Sequence, residues 1–128
     1  MRWIIDGNNV MGARPDGWWR DRAGASRALA AQVAAFAGAT GDAVQLVFDG
    51  RPRDLGLASD APVRIAFADR PGRNAADALI AELVEADAEP AGMRVVTSDG
   101  ELAARVRAAG AEVEGAGAFR RRLDEVAD

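Results

Sequence analysis

Three aspartates stand where apolar runs stop, and a fourth opens a helical pattern. Asp6 closes Ile4-Ile5 and precedes Gly7-Asn8-Asn9; Asp49 closes Val47-Phe48 and precedes Gly50; Asp99 follows Val95-Val96-Thr97-Ser98 and precedes Gly100. Asp77 ends the string Asn74-Ala75-Ala76-Asp77. An apolar run reads as a buried strand, and Gly or Asn just after it as a sharp turn. The strand-ending acids therefore belong at the exit edge of a sheet, where open parallel sheets bind ligands. Carboxylates gathered on one edge repel each other and destabilise the fold unless a cation joins them. The chemistry they suggest is a divalent metal site.

Composition narrows the alternatives. The chain of 128 residues has no cysteine and no histidine. Disulfides, thiolate sites, His-ligated zinc and Ser-His triads are excluded. Lysine is absent too, so all 16 basic residues are arginine, and P-loop and Schiff-base chemistry fall away. What remains is Asp, Glu, Asn, Ser, Thr and Arg, an oxygen-rich set suited to Mg²⁺ or Mn²⁺. The net charge of −4 disfavours tight non-specific nucleic-acid binding, although a local arginine patch can still bind. Asp6 interrupts the first apolar run, unlike a signal peptide, and no stretch reaches the roughly 20 apolar residues that span a bilayer. A cytoplasmic protein without membrane contact is the expectation.

Each acid also has an ordinary structural reading. Asp6-Gly7 and Asp49-Gly50 make turns. Ser98 and Glu101 match a capping box for the helix that follows, with Asp99 favouring its N-terminus. Asn74 reads as the N-cap of the helix carrying Asp77 in its first turn. Asp77 is also in line with Ile80 and Val84, at the margin of an apolar stripe, which a solvated cap does not need.

The elements that must position these residues alternate. Strands are predicted over 2–5, 44–48, 63–67, 93–97 and 111–113, and helices over 22–39, 75–86, 101–109 and 118–126. Alternation implies a largely parallel α/β sheet in one domain, 1–128. Residues 49–62 read as an irregular connection, and 7–21 as a long loop holding Arg14, Pro15, Trp18, Trp19 and Arg20. Tryptophans among arginines suit single-stranded RNA, whose bases stack on rings while guanidinium groups hold phosphates; the plainer reading is a Trp anchoring its loop and solvated arginines. Arg51 and Arg73 fall in segments that approach the same edge. Arg120-Arg121-Arg122 reads as a polar helix face.

The strings Ile5-Asp6-Gly7-Asn8-Asn9-Val10, Val47-Phe48-Asp49-Gly50, Asn74-Ala75-Ala76-Asp77 and Thr97-Ser98-Asp99 follow in order along nearly the whole chain. In this the sequence resembles the NYN domain family of the PIN-like nuclease superfamily, and within it the bacterial YacP-like proteins; position 8 carries Asn where that group often has an aromatic residue. The resemblance implies a PIN-like, Rossmann-like three-layer α/β fold with a five-stranded sheet in the order 3-2-1-4-5. It places Asp6 beside Asp99, with Asp77 brought in by a crossover helix. It implies that Asp6, Asp77 and Asp99 bind Mg²⁺ or Mn²⁺ and carry catalysis, with Asn9 matching the asparagine of the first motif and Asp49 and Asn74 matching weaker positions; the residues themselves add Ser98 as a supporting candidate and Arg14, Trp18, Trp19, Arg20, Arg51 and Arg73 as candidate RNA contacts. The activity implied is metal-dependent endonucleolytic cleavage of RNA, single-stranded or structured. The alternative is a non-catalytic RNA- or ribosome-binding module with the same fold. A phosphohydrolase using an aspartyl phosphate is disfavoured, because Asn8 stands where a second acid is wanted and lysine is missing.

Overall fold

The computed structural model describes residues 1–14 and 16–127, leaving Pro15 and Asp128 outside the described residues. Among the described residues, five strands form one sheet: β1 (Arg2–Asp6), β2 (Ala43–Asp49), β3 (Arg64–Ala68), β4 (Met93–Val96) and β5 (Glu112–Glu114). Five helices accompany them: α1 (Gly7–Met11), α2 (Arg22–Thr40), α3 (Ala75–Ala86), α4 (Gly100–Ala108) and α5 (Ala116–Ala127). The strand order is β3-β2-β1-β4-β5 and every pairing is parallel, as the resemblance implied.

Successive side chains of a strand point to opposite faces, and here both faces are covered. Trp3 and Ile5 join Leu46 and Phe48 under Leu29, Val33 and Phe36 of α2 and Phe119 of α5. Ile4, Val47 and Val95 face the other way, against Ile80 and Val84 of α3 and Val106 of α4. This explains why the strands read as continuous apolar runs rather than alternating ones. Trp3, Phe36 and Phe119 meet edge-on or tilted at 5.2–5.7 Å between ring centroids, and Trp3 donates its indole N–H to Asp42 at 2.9 Å.

The structure corrects the expected loop over 7–21. Its first five residues are helix α1, which starts immediately after β1. Gly7 makes this abrupt transition feasible: a Cβ there would lie 2.6 Å from the Phe48 ring and 2.8 Å from the Val47 carbonyl. Further on, Trp18–Arg20 form a 3-10 turn before α2. Asp21 caps α2 by accepting the Gly24 N–H. Residues 50–63 hold neither helix nor strand, so the irregular connection expected over 49–62 is present but displaced by one residue, with Asp49 still in β2 and Val63 just ahead of β3. Arg120 is not on a polar face: it is 8 % exposed, and its guanidinium donates to the Val10 carbonyl and to Gln32. It ties α5 to the end of α1, and burial pulls its pKa down.

Candidate active site

Register sets the site. Ile5 lies opposite Val96, so Asp6 emerges level with Thr97, one residue beyond the end of β4. Thr97 is buried; its hydroxyl donates to Asp6 Oδ2 at 3.0 Å and accepts the Asp99 N–H at 3.1 Å. The expected adjacency of Asp6 and Asp99 is thus bridged by a threonine that the sequence reading passed over.

Helix α1 clasps the strand ends on both sides of β1. Asn8 Oδ1 accepts the Asp49 N–H at 2.8 Å, and Asn9 Oδ1 accepts the Ser98 N–H at 2.7 Å. The capping assignments change accordingly. Asp99, not Ser98, is the N-cap of α4 and accepts the Leu102 N–H. Ser98 instead accepts the Ala116 N–H at the start of α5. Asn74 occupies the N-cap position of α3 but makes no side-chain cap bond. That task falls to Asp49, whose Oδ1 accepts the Ala76 N–H at 2.8 Å from the end of another strand.

The acids meet electrostatically. Burial, and next the charge of Asp77, push Asp6 up to about 7; the Thr97 hydroxyl and the nearby Asn9 N–H counter this in part, and Asp49 adds to it. Asp77, half-buried, is pushed up to about 6 by burial, by Asp99 beside it, by Asp49 and by Glu101. Glu101 is therefore a further acid of this edge, hidden in sequence by its match to a capping box.

The oxygen donors fit a hard dication in kind. Among the described residues, however, no three acids stand as a ready ligand set for one ion. The cleft beside Asp77, about 200 Å³, is lined by Asn74, Glu101, Leu102 and Arg105. A larger cavity of about 580 Å³ lies at the opposite end of the strands, lined among others by Arg2, Gln45, Arg64 and Asp87. Its one acid, Asp87, is already held by Arg2, whereas the smaller cleft holds Asp77 and Glu101.

Of the expected RNA contacts, Trp18 packs partly on the core while Trp19 is 50 % exposed. Their rings meet edge-on at 6.1 Å, with Arg22 over Trp18 and Arg20 over Trp19. Arg51 and Arg73 are exposed. Arg14 pairs with Asp124 of α5 instead of facing solvent alone.

The profile of the YacP-like NYN domain matches residues 3–128. The chain belongs to the YacP-like NYN domain family. No curated protein matches it. Among solved structures it is similar to Rae1 (YacP) from Bacillus subtilis, with a TM-score of 0.77 at 24% identity over 98% of this chain and 75% of that one. A Trp-to-Leu variant of the same protein gives a TM-score of 0.75 at 23% identity, covering 98% of this chain and 76% of the other. These likenesses show the fold. In this YacP-like NYN domain, among the described residues, no helix is long and apolar enough to cross a membrane.

Proposed function

We propose that the protein is a metal-dependent endoribonuclease that hydrolyses RNA phosphodiester bonds with Asp6, Asp77 and Asp99. The observation that carries this reading is the juxtaposition of acids from β1, α3 and the β4–α4 junction, none of them ion-paired with an arginine among the described residues. Burial first, and then their mutual charge, raise Asp6 and Asp77 well above the ordinary carboxylate range. A resident Mg²⁺ or Mn²⁺ would supply charge neutralisation, an activated water and stabilisation of the charge that builds on the phosphate.

The chain's own residues do the positioning. Thr97 fixes the Asp6 carboxylate through Oδ2, and the same hydroxyl holds the Asp99 backbone. Asp99 spends Oδ1 on the Leu102 N–H, which aims its carboxylate from the first turn of α4. Asp49 fixes the first turn of α3 and hence Asp77. Trp19 offers a face for an unstacked base, and the neighbouring arginines offer donors for phosphates. The chain has no imidazole and no lysine amine to take a proton from water, so that proton passes to a carboxylate or to solvent.

The test is purified protein on end-labelled single-stranded and hairpin RNA with Mg²⁺ or Mn²⁺, with EDTA and Asp6→Asn as controls. Metal-dependent cutting lost in Asp6→Asn is the expected result; cutting that survives in Asp6→Asn overturns the assignment. A second reading, a non-catalytic RNA- or ribosome-binding module, is favoured by the lack of a ready three-acid ligand set among the described residues. It predicts RNA binding that neither Mg²⁺ nor Mn²⁺ converts into cleavage.

A further inference from the structure

The arginines around the acid edge fall into two groups. On the flank formed by α4, β5 and α5, Arg105 is forked onto Glu85 at 2.7 and 3.0 Å. Arg94 is bound to Glu112 at 2.7 Å, and Arg122 to Glu114 at 2.7 and 2.8 Å. A guanidinium in a two-point grip on a carboxylate has its best donors taken. Glu101 adds a further negative charge on this flank.

The loops that follow β1, β2 and β3 hold two paired arginines, Arg14 on Asp124 and Arg70 on Glu82, but also four of another kind. Among the described residues Arg20, Arg22, Arg51 and Arg73 make no hydrogen bond or ion pair with an acid. Arg20 and Arg22 lie instead against tryptophan rings at 5.9 and 5.5 Å. Three acids of these loops are occupied with backbone N–H groups: Asp16 with Trp18, Asp21 with Gly24 and Asp54 with Gly56. The loop after β2 is also held in place. The Arg53 guanidinium sits over Phe48 and Phe67 at 5.3 and 5.1 Å and donates to the Asp49 carbonyl and the Ser26 hydroxyl. Arg51 therefore projects from an anchored turn two residues beyond Asp49, and Arg73 stands directly before the N-cap of α3. Trp19, half exposed on this rim, is with Met1 one of two large apolar side chains so exposed among the described residues.

We infer that single-stranded RNA crosses the acid edge on one side, over the loops after β1, β2 and β3, and leaves the α4–β5–α5 flank bare. The inference rests on the ribonuclease reading and adds a direction to it. Alternating rings and free guanidinium groups match the alternation of base and phosphate along a single strand, whereas on the opposite flank Arg94, Arg105 and Arg122 are bound to glutamates and no ring accompanies the exposed Arg107 and Arg121 among the described residues.

The experiment is fluorescence anisotropy with a labelled oligouridylate in EDTA, which prevents cutting. Two double variants carry the same change of charge: Arg51→Glu with Arg73→Glu on the rim, and, as the α4 pair, Arg107→Glu on α4 with Arg121→Glu on α5, both exposed and outside the lining of the cleft beside Asp77. Trp19→Ala tests stacking without charge. The rim pair and Trp19→Ala are each expected to weaken binding about tenfold or more, the rim pair also flattening the salt dependence, while the α4 pair binds within about twofold of the parent. Circular dichroism melts confirm that each variant is folded. Equal losses from the two pairs, a larger loss from the α4 pair, or a parent protein that binds no oligouridylate overturns the inference. Failure of the nuclease reading looks different: the parent would bind with this asymmetry yet fail to cut with Mg²⁺ or Mn²⁺. A parent that cuts but shows equal losses from both pairs would keep the nuclease and lose the track.

Discussion

The two ends of the sheet treat their acids in opposite ways. At the N-terminal end, Arg2 grips Asp87 at 2.6 and 3.0 Å and holds its pKa below the usual carboxylate range. Asp42 there takes the Trp3 indole N–H and lies 3.7 Å from the terminal ammonium. At the C-terminal end, among the described residues, the charged groups facing Asp6, Asp77 and Asp99 are each other, Asp49 and Glu101, with only neutral donors such as the Thr97 hydroxyl and the Leu102 N–H to offset them, and two of the three are pushed up. A chain with 16 arginines has the means to neutralise its acids, and among the described residues it pairs Asp87, Glu82, Glu85, Glu112, Glu114 and Asp124 with arginine but none of this trio. Sites that sacrifice stability in this way mark function more clearly than pocket size does, since the larger cavity lies at the neutralised end.

The largest expected effect comes from removing one of the unpaired acids. Asp6→Asn should lower RNA cleavage by more than about 100-fold, beyond what a supporting residue of a metal site usually costs. The same change should stabilise the metal-free protein. A carboxyl whose pKa is raised on folding binds its proton more tightly in the folded state. Stability therefore falls as pH climbs from about 4 to about 7 and stays low above that. Asp6→Asn removes this slope, so its gain in unfolding free energy, measured by urea titration, should be a few kcal/mol at most and greatest above about pH 7. Activity lost without any stability gain would mean that the end is not frustrated.

Thr97 comes next. Thr97→Val keeps the shape, deletes the donor to Asp6 and leaves the Asp99 N–H without an acceptor. Cleavage should fall by roughly 10- to 100-fold, and the Asp6 titration followed by carboxyl NMR should move higher still. Thr97→Ser should restore most of both, which separates the hydroxyl from the methyl.

What the sequence made legible, and what it hid, divides by distance along the chain. Strand ends at Asp6 and Asp49 are readable because an apolar run followed by Asp-Gly is a local signal; the same signal misplaces Asp99, which caps α4 three residues beyond the end of β4. Helix α1 is not readable, because Gly7-Asn8-Asn9 is poor helix material. It forms through remote support: the tight fit of Gly7 on Phe48, the Arg120 bond to Val10, and the clasping bonds of Asn8 and Asn9. The pattern Ser98-x-x-Glu101 did signal a helix start, but register gave Ser98 to α5 and left the cap to Asp99. The Asp49 cap on α3 joins residues 27 apart, and no local pattern reports it.

Asp49 offers a finer test of the same contrast, because it gives one oxygen to the fold while its charge burdens Asp6 and Asp77. Asp49→Asn keeps an acceptor for the Ala76 N–H and removes the charge; Asp49→Ala removes both. The alanine variant should lose about 1 kcal/mol of helix capping, offset in part by relief of repulsion, and should show faster hydrogen exchange at Ala76. The asparagine variant should keep Ala76 protected and be at least as stable as the parent at neutral pH. Equal behaviour of the two would mean that the carboxylate acts only through its charge.

The smallest effect should come from the neutralised end, and it should have the opposite pH signature. Asp87 is held low by the Arg2 guanidinium and next by the Glu89 N–H. A depressed carboxyl contributes stability above its unfolded pKa and loses it as pH falls through the folded value. Arg2→Ala should therefore lower stability slightly near neutrality, as exposed ion pairs contribute little, and make acid unfolding less steep below about pH 4. The two variants then cross: Asp6→Asn helps most at high pH, whereas Arg2→Ala harms least at low pH. A pH-dependent gain in Arg2→Ala above neutrality would show that the N-terminal end is also strained, and would remove the asymmetry on which the site assignment leans.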